Sequence, residues 1–348
     1  MNRMLVGLLL SCWAQAADVP ITSLDLSKFG YQTAEATSVL ADSSDLSFLS
    51  NDLLLVSINQ RSLGPVEPIF ADTPESTIIV FDVGRAKVTT VRKMVVEKGL
   101  DSVQAISAER LAVLNEKGLQ FCDQKLRCQP IAPATGPMFI SPRGKRVAVG
   151  GNRLTAQVIL DTESWKQIAV FERSQNVFAT VAIPGDEAVL LNLDNRIFIR
   201  KPGVNDVPLK VDDKGTFREF RFLNGILLAC LDHDADEAVI AGLDGRLNRR
   251  YKVAKAWRTG FLPTTSGTRF AIYEHGYTTL NSIVNFLDID SGRPQNFQRV
   301  RIIDLASGNE VYRLDWDPRP GLIKPALSPD GNRIARVRAG IVEVFQVN

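Results

Sequence analysis

The chemistry-bearing side chains of this chain are densest in Asp232-His233-Asp234-Ala235-Asp236-Glu237, where carboxylates surround one imidazole. Oxygen donors at such spacing can ligate Ca²⁺, which takes about six to eight of them. The stretch lacks the EF-hand spacing and its glycine. A solvated acidic turn, favoured by local hydrogen bonds from side chain to backbone, is the simpler reading. LDIDSG (287–292) invites the same comparison and reads better as an Asp-Ser-Gly hairpin turn. Glu274 and His275 form a second acid–imidazole pair, and His275 with His233 completes the histidine content. Two histidines and four cysteines are too few for a multi-His metal enzyme, a Cys-ligated zinc domain or an iron–sulfur protein. The chain has no G-x-S-x-G, P-loop or G-x-G-x-x-G motif. Turn carboxylates alone cannot be given glycosidase roles. Catalytic residues are therefore unassigned, and neither metal nor cofactor is expected.

Cysteine chemistry depends on compartment. Arg3 followed by the apolar run Met4–Leu10 and the small-x-small triplet Ala14-Gln15-Ala16 reads as a cleaved signal peptide, residues 1–16. The run is too short to span a bilayer, and nothing later reaches about 18 apolar residues. Lipid anchoring at Cys12, from a loose lipobox LLSC, is the minor alternative. Export would place Cys122, Cys128 and Cys230 in an oxidising compartment, secreted or periplasmic in a bacterium. Cys122 and Cys128 flank a polar pentapeptide between two strand-like runs, so a hairpin can pair them as a disulfide; two free, half-buried thiols are the alternative. Cys230, within ILLACL, reads as a buried inert thiol.

The elements that position these groups are strands. Of 348 residues 45% are hydrophobic, enough for a substantial core and incompatible with disorder throughout. A formal charge of +2 without a Lys/Arg stripe excludes a nucleic-acid footprint. Length alone suggests two domains. A repeat overrides that reading: an apolar pair, a polar turn and a second β run recur seven times, as FLSNDLLLVSI (48–58), AISAERLAVLN (105–115), FISPRGKRVAVG (139–150), AIPGDEAVLLNL (182–193), FLNGILLACL (222–231), FLPTTSGTRFAIY (261–273) and ALSPDGNRIARV (326–337). The middle copies recur about every 40 residues, the period of a propeller blade. Runs such as IIVFDVGRAKVTTV (78–91) and RIIDLASGNEVYRL (301–314) supply two further strands per copy, giving strands a to d from the axis outward.

The SPRG and SPDG turns, and the Asp-ended c strand followed by Ser307-Gly308, resemble WD40/YVTN-type β-propellers. The resemblance covers the whole chain beyond the leader. It implies an all-β fold: a seven-bladed β-propeller of four-stranded antiparallel blades in a single domain, 17–348. The GH and WD signatures of regulatory WD40 repeats are missing, and Trp316-Asp317 is the only WD pair. The last copy has three strands, and VPITSLDLSKF (19–29) has no partner, so this N-terminal strand is expected to close the last blade.

In such blades the b–c and d–a connections share one face. Two b–c connections are long, Asn59–Ser76 and Gly276–Phe297, and carry Phe70, Tyr277, Ile283, Val284, Phe286 and Phe297. They are expected to form a rim on one sector of that face. Candidate binding residues there are Arg61, Phe70, Asp72, Arg153, Asp194 with Asn195, Asp232, His233, Asp234, Glu274, His275, Tyr277 and Arg293. The favoured function is a monomeric, non-catalytic scaffold for a protein or another envelope macromolecule, with no nucleic-acid partner and no transmembrane segment. Alternatives are an enzyme or enzyme subunit with a site at the channel mouth, or a small-ligand or ion sensor. The resemblance points for the former to propeller lactonases and to the propeller subunit of quinohaemoprotein amine dehydrogenases. The chain has no C-x-x-C-H haem motif of its own.

Overall fold

A computed structural model describes residues 19–31, 43–59, 75–95, 100–134, 138–141, 144–150, 156–171, 180–182, 189–193, 196–200, 205, 207–209, 217–223, 227–243, 246–254, 256–264, 266–277, 296–316 and 325–347. The chain is an all-β propeller of four-stranded antiparallel blades. The signal-peptide reading, Cys12, Arg61, Phe70, Asp72, Arg153, Asp194, Asn195 and Arg293 lie outside the described residues.

The described strands form seven four-stranded sheets. After β1 (Thr22–Asp25), sheet 1 contains β2 (Ser43–Phe48), β3 (Leu53–Asn59), β4 (Glu75–Asp82) and β5 (Lys87–Val95). Sheet 2 contains β6 (Leu100–Ser107), β7 (Arg110–Asn115), β8 (Gly118–Asp123) and β9 (Cys128–Ala132). Sheet 3 contains β10 (Met138–Ile140), β11 (Arg146–Gly150), β12 (Gln157–Asp161) and β13 (Gln167–Phe171). Sheet 4 contains β14 (Thr180–Ala182), β15 (Val189–Leu193), β16 (Arg196–Arg200) and β17 (Val207–Leu209). Sheet 5 contains β18 (Phe217–Phe222), β19 (Leu227–Asp232), β20 (Glu237–Gly242) and β21 (Leu247–Lys252). Sheet 6 contains β22 (Ala256–Pro263), β23 (Arg269–Tyr277), β24 (Asn296–Asp304) and β25 (Glu310–Trp316). Sheet 7 runs β26 (Ala326–Leu327), β27 (Arg333–Arg338), β28 (Ile341–Gln346) and then β1, drawn from the other end of the chain.

The pattern of burial explains the sequence pattern. The second and third strands are covered on both faces and read as apolar runs; Leu111–Leu114 are fully buried. On the outer strand β5 only alternate residues, Lys87, Thr89, Val91 and Lys93, are exposed. One apolar cluster fills each gap between neighbouring sheets. Leu55, Ile78 and Val80 of sheet 1 meet Leu111, Val113 and Cys122 of sheet 2. Likewise Trp316 and Leu314 of sheet 6 meet Ile334 and Phe345 of sheet 7. Along the inner rim β2 touches β6, β6 touches β10, and the contacts continue through β14, β18 and β22 to β26, which lies against β2 as well.

β1 pairs antiparallel with β28 from Thr22↔Val344 to Asp25↔Ile341. A 3₁₀ turn over Leu26–Phe29 follows, capped by the Asp25 carboxylate, which accepts from Ser27 N at 3.0 Å. Leu24, Leu26 and Tyr31 enter a core with Val56 and Ile58 of sheet 1 and Val342 of sheet 7.

The recurring Asp at the end of a third strand has a local cause. Asp161 Oδ1 accepts from Ser164 N (2.8 Å) and Ser164 Oγ (2.9 Å). Asp304 Oδ1 accepts from Ser307 N (2.7 Å) and Ser307 Oγ (2.8 Å). These bonds hold the carboxyls of both aspartates below the usual range, the backbone bond weighing most. Four residues beyond the Asp the chain enters the left-handed region, at Ala86 (φ 50°), Trp165 (φ 57°) and Gly308 (φ 74°), and the ladder shifts by one residue. This is a hairpin with a bulge.

Cys122 and Cys128 are directly opposite in the ladder, their Cα atoms 4.0 Å apart, and form a disulfide. Cys230 is free and buried. Among the described residues no helix is long and apolar enough to cross a membrane.

Candidate functional site

The face carrying the connections between second and third strands was expected to hold the site. Asp232 ends β19, and the turn from His233 to Asp236 returns the chain into β20. Asp232 is almost wholly buried, while His233 and Asp234 at the tip are exposed. The Arg250 guanidinium on β21 reaches both Asp232 Oδ2 (3.0 Å) and Glu237 Oε2 (2.9 Å). Lys252 Nζ lies 2.9 Å from Glu237 Oε1. Hydrogen bonds from Lys252 and then Arg250 hold the Glu237 carboxyl below its usual range. The two carboxylates at the base of the acidic turn, Asp232 and Glu237, are thus paired within their own sheet. No group of three or more His, Cys, Asp or Glu side chains among the described residues is arranged to hold a metal.

Glu274 and His275 stand within β23, both buried, opposite Arg299 and Gln298 of β24. The sequence reading set them on the face beside the connection that begins at Gly276; the hairpin continues past them to Tyr277↔Asn296, so they are ladder residues. Glu274 Oε2 accepts from Arg301 Nε at 3.1 Å, and Glu274 Oε1 accepts from Ala254 N at 2.5 Å. Arg301 also donates to Lys252 O at 2.8 Å. The segment Arg250–Ala254 therefore connects the Asp232–Glu237 turn of sheet 5 to Glu274 of sheet 6. The Glu274–Arg301 pair lies within sheet 6, and through Ala254 N and Lys252 O it fastens that sheet to the end of sheet 5; the buried carboxylate stripped of Arg301 would be strongly destabilising.

Above the face, two hairpins stand out. β23 and β24 pair over nine positions and β3 and β4 over seven, against five or six for the corresponding strands of the other sheets. The three further pairs of β23–β24 carry that hairpin about 10 Å onward, and β3–β4 exceeds its counterparts by one pair. Sheets 6 and 1 are the two neighbours of sheet 7, since β26 touches β22 and β2. Both long connections, 60–74 and 278–295, thus start from hairpins on either side of one sheet. Tyr277 ends the longer of them.

A second feature went unread in the sequence. The innermost strands surround an axial cavity of about 380 Å³. Its wall includes Asp45 and Ser47 of β2, Gln104 of β6, Phe139 of β10, Arg221 of β18 and Tyr273 of β23. Gln104 Nε2 donates to Met138 O at 2.9 Å, and Ser47 Oγ accepts from Ala105 N at 3.2 Å, stitching the first three sheets at one level. The Arg221 guanidinium lies 4.9 Å from the Phe139 ring centre, a cation–π contact. Tyr273 packs directly over Gly260, where a Cβ would come within 2.4 Å of the phenol. Aligning the seven copies on the position opposite the second-strand alanine (Ala112, Ala148, Ala229) would have flagged Gln104, Phe139 and Arg221 as inward-facing.

The fold and its axial cavity define the class: a β-propeller with a WD40-like arrangement. No protein-family model and no curated protein matches the sequence. Among solved structures, the chain is similar to one in the crystal structure of the mitotic checkpoint complex. The TM-score is 0.59 at 14% identity, over 99% of each chain. It is also similar to Raptor from Chaetomium thermophilum, with TM-score 0.61 at 12% identity over 95% of this chain and 29% of that one. At such identities the likeness is one of fold.

Proposed function

We propose that this chain is an exported, closed seven-bladed propeller acting as a monomeric, non-catalytic scaffold. In this reading it presents the face with the long hairpins to a protein or another macromolecule of the envelope. The observation that carries the proposal is the pair of extended hairpins flanking sheet 7. A rigid ladder that continues past its neighbours supports a recognition loop better than a solvated turn does. Arg61, Phe70, Asp72, Tyr277 and Arg293 are the proposed contacts, with Arg153, Asp194, His233 and Asp234 on the same face. Asp232, Glu274 and His275 are assigned to holding the hairpins in place. The disulfide supports an oxidising compartment, and the seven sheets with β1 paired to β28 support closure. The similar chain in the mitotic checkpoint complex belongs to an assembly, which is compatible with a scaffold role here.

The test is a pull-down from the native envelope with the purified protein and with a variant in which residues 62–72 are replaced by a short Gly-Asn turn. Loss of a specific partner with an unchanged melting temperature supports the reading. Identical partners in both would reject this hairpin as the contact.

A further inference from the structure

The bridged hairpin of sheet 2 is asymmetric about its disulfide. Cys122, in β8, is fully buried in the apolar cluster between sheets 1 and 2, with Leu55, Val80, Leu111 and Val113. Cys128, at the start of β9, is only partly buried against that cluster. A cation from the neighbouring sheet meets the second sulfur: the Arg92 guanidinium, carried by β5 of sheet 1, donates from NH1 to Leu126 O and lies 3.5 Å from Cys128 Sγ. On the turn itself the Asp123 carboxylate accepts from Arg127 N at 2.9 Å and Arg127 Nε at 2.6 Å, and Lys125 is exposed. Reactive sulfurs sit in partly exposed, electropositive surroundings of this kind, whereas sulfurs buried among apolar groups are inert.

The hairpin also closes without help from the bridge. Asp123 N donates to Arg127 O at 3.1 Å and Leu126 N donates to Asp123 O at 2.8 Å. The ladder continues beyond the cysteines through Phe121↔Gln129 and Gln120↔Pro130. With the S–S bond open, these contacts keep the two sulfurs opposite each other, so the bond can break and re-form inside a folded sheet. The site is at the end of β8 remote from Lys117, on the face opposite the long hairpins.

We propose that Cys122 and Cys128 form a thiol–disulfide exchange site for an external dithiol, with Cys128 as the exchanging sulfur and Arg92 as the group that holds its thiolate. One thiolate of the dithiol attacks Cys128 Sγ; the S–S bond breaks, and its electron pair leaves on Cys122 Sγ, which takes a proton from water. The second thiol of the reagent, losing its proton, then attacks the reagent's own sulfur in the mixed disulfide. That step releases Cys128 as a thiolate beside Arg92 and leaves the reagent as a disulfide. Two electrons have passed to the protein, and the reverse sequence oxidises it again. The roles are divided by position: Cys128 meets the reagent, and Cys122 resolves the mixed disulfide from the apolar side. The proposal is independent of the scaffold reading, because it uses neither long connection.

The test treats the folded full chain with dithiothreitol, then with limiting iodoacetamide at pH 7, and maps the alkylated cysteines by mass spectrometry. Cys128 should be labelled well before Cys122. Arg92→Gln should slow that labelling about threefold or more, and Arg92→Lys, which keeps the charge, should restore most of it. At pH 8, where a lowered thiol is largely ionised, Arg92→Gln should also shift the equilibrium with glutathione about threefold toward the disulfide. Cys122→Ser should trap a mixed disulfide with glutathione at Cys128, and Cys128→Ser should trap none at Cys122. A bridge that millimolar dithiothreitol opens only on unfolding, labelling of Cys122 first, or an unchanged rate in folded Arg92→Gln would overturn the proposal. If Arg92→Gln melts early, the pH profile of wild-type labelling decides: a midpoint below the ordinary thiol value of about 8.5 is expected, and one at or above it counts against the site. The variant with residues 62–72 replaced should exchange as wild type does, which separates failure here from failure of the scaffold reading.

Discussion

Arg333 of β27 places its guanidinium on the Asp52 carboxylate and on the carbonyl oxygen of Asn51, residues 281 and 282 positions earlier in the chain. Arg249 does the same between sheets 5 and 6, donating to Leu305 O at 2.9 Å and Ala306 O at 3.1 Å. Arg110 donates to Thr162 O at 2.9 Å between sheets 2 and 3. Arg269 reaches Asn332 Oδ1 at 2.8 Å between sheets 6 and 7. Sheets that share no ladder hydrogen bonds are thus tied by arginines that end on the turns of the next sheet. Charged donors on backbone carbonyls are among the stronger hydrogen bonds available for this.

The N-terminal strand is expected to hold sheet 7 together. Removing residues 17–32 deletes β1 and withdraws Leu24, Leu26 and Tyr31 from the core with sheet 1. The melting temperature followed by circular dichroism should fall by about 10 °C or more. Leu26→Ala alone, at a fully buried site, should cost about 3 kcal/mol. An unchanged transition after deletion would mean that the strand pairing contributes nothing.

Thiol chemistry should separate the three cysteines. Burial pushes the Cys230 thiol up, so a thiol reagent should label it only when the protein unfolds. Reduction should lower the melting temperature of the wild type and leave Cys122→Ser/Cys128→Ser untouched. That double variant should be less stable by about 2 kcal/mol, since the bridge closes only a short loop.

How much of this was legible varied with the range of the interaction. The apolar pair, turn and apolar run recur because every sheet's second strand meets the same two-sided burial, so Leu111–Leu114 and Leu228–Cys230 look alike in sequence as in space. The pairing of Cys122 with Cys128 is local to one hairpin and could be read from the six-residue spacing. Glu274 could not be placed, because its partner Arg301 lies across an insertion and its other contact belongs to a different sheet. Arg221 was missed for another reason. It sits opposite Ala229 and is found by counting back from the turn, but read forward from Phe217 the bulge at Glu219 breaks the alternation by one residue and puts it on the wrong face.

Acid should weaken the hairpin caps. Asp161 and Asp304 are held below the usual carboxylate range by bonds from Ser164 and Ser307. A carboxyl depressed in the folded state contributes stability above its unfolded value of about 3.9, and that contribution is lost as pH falls through the folded value. Ser164→Ala and Ser307→Ala should raise the two carboxyls toward the ordinary range in an NMR titration. Both should also flatten the acid limb of stability against pH; an unshifted titration would count against the capping role.

The left-handed hairpin position offers a pair of substitutions with opposite signs. At Gly308 a Cβ would fall within 2.2 Å of the Arg249 guanidinium that ties sheets 5 and 6. Gly308→Ala should destabilise by more than about 1 kcal/mol. At exposed Ala86, also at positive φ, Ala86→Gly should be neutral to stabilising by up to about 1 kcal/mol. Chemical denaturation would report both.

Calcium should be without effect on the melting curve, because Arg250 and Lys252 already neutralise Asp232 and Glu237. A rise of several degrees with millimolar Ca²⁺ would reopen the ion reading of the acidic turn. Arg250→Ala is the companion variant. It leaves two carboxylates facing each other and should destabilise by about 3 kcal/mol at the buried Asp232.

The pairing of β1 with β28 also bears on how freely this chain could be re-ordered. Ile21 N donates to Val344 O at 2.7 Å, so residues near the two ends of the described chain run side by side. A short peptide joining them would make a ring of covalent backbone that could be opened at another hairpin. The Lys117 turn of sheet 2, with its two-residue connection between Asn115 and Gly118, is one such place. Circular permutants opened there would begin in β8 and end in β7, with sheet 7 made from one continuous stretch of chain. The position of the seam would then be a property of gene order, movable from one sheet to another.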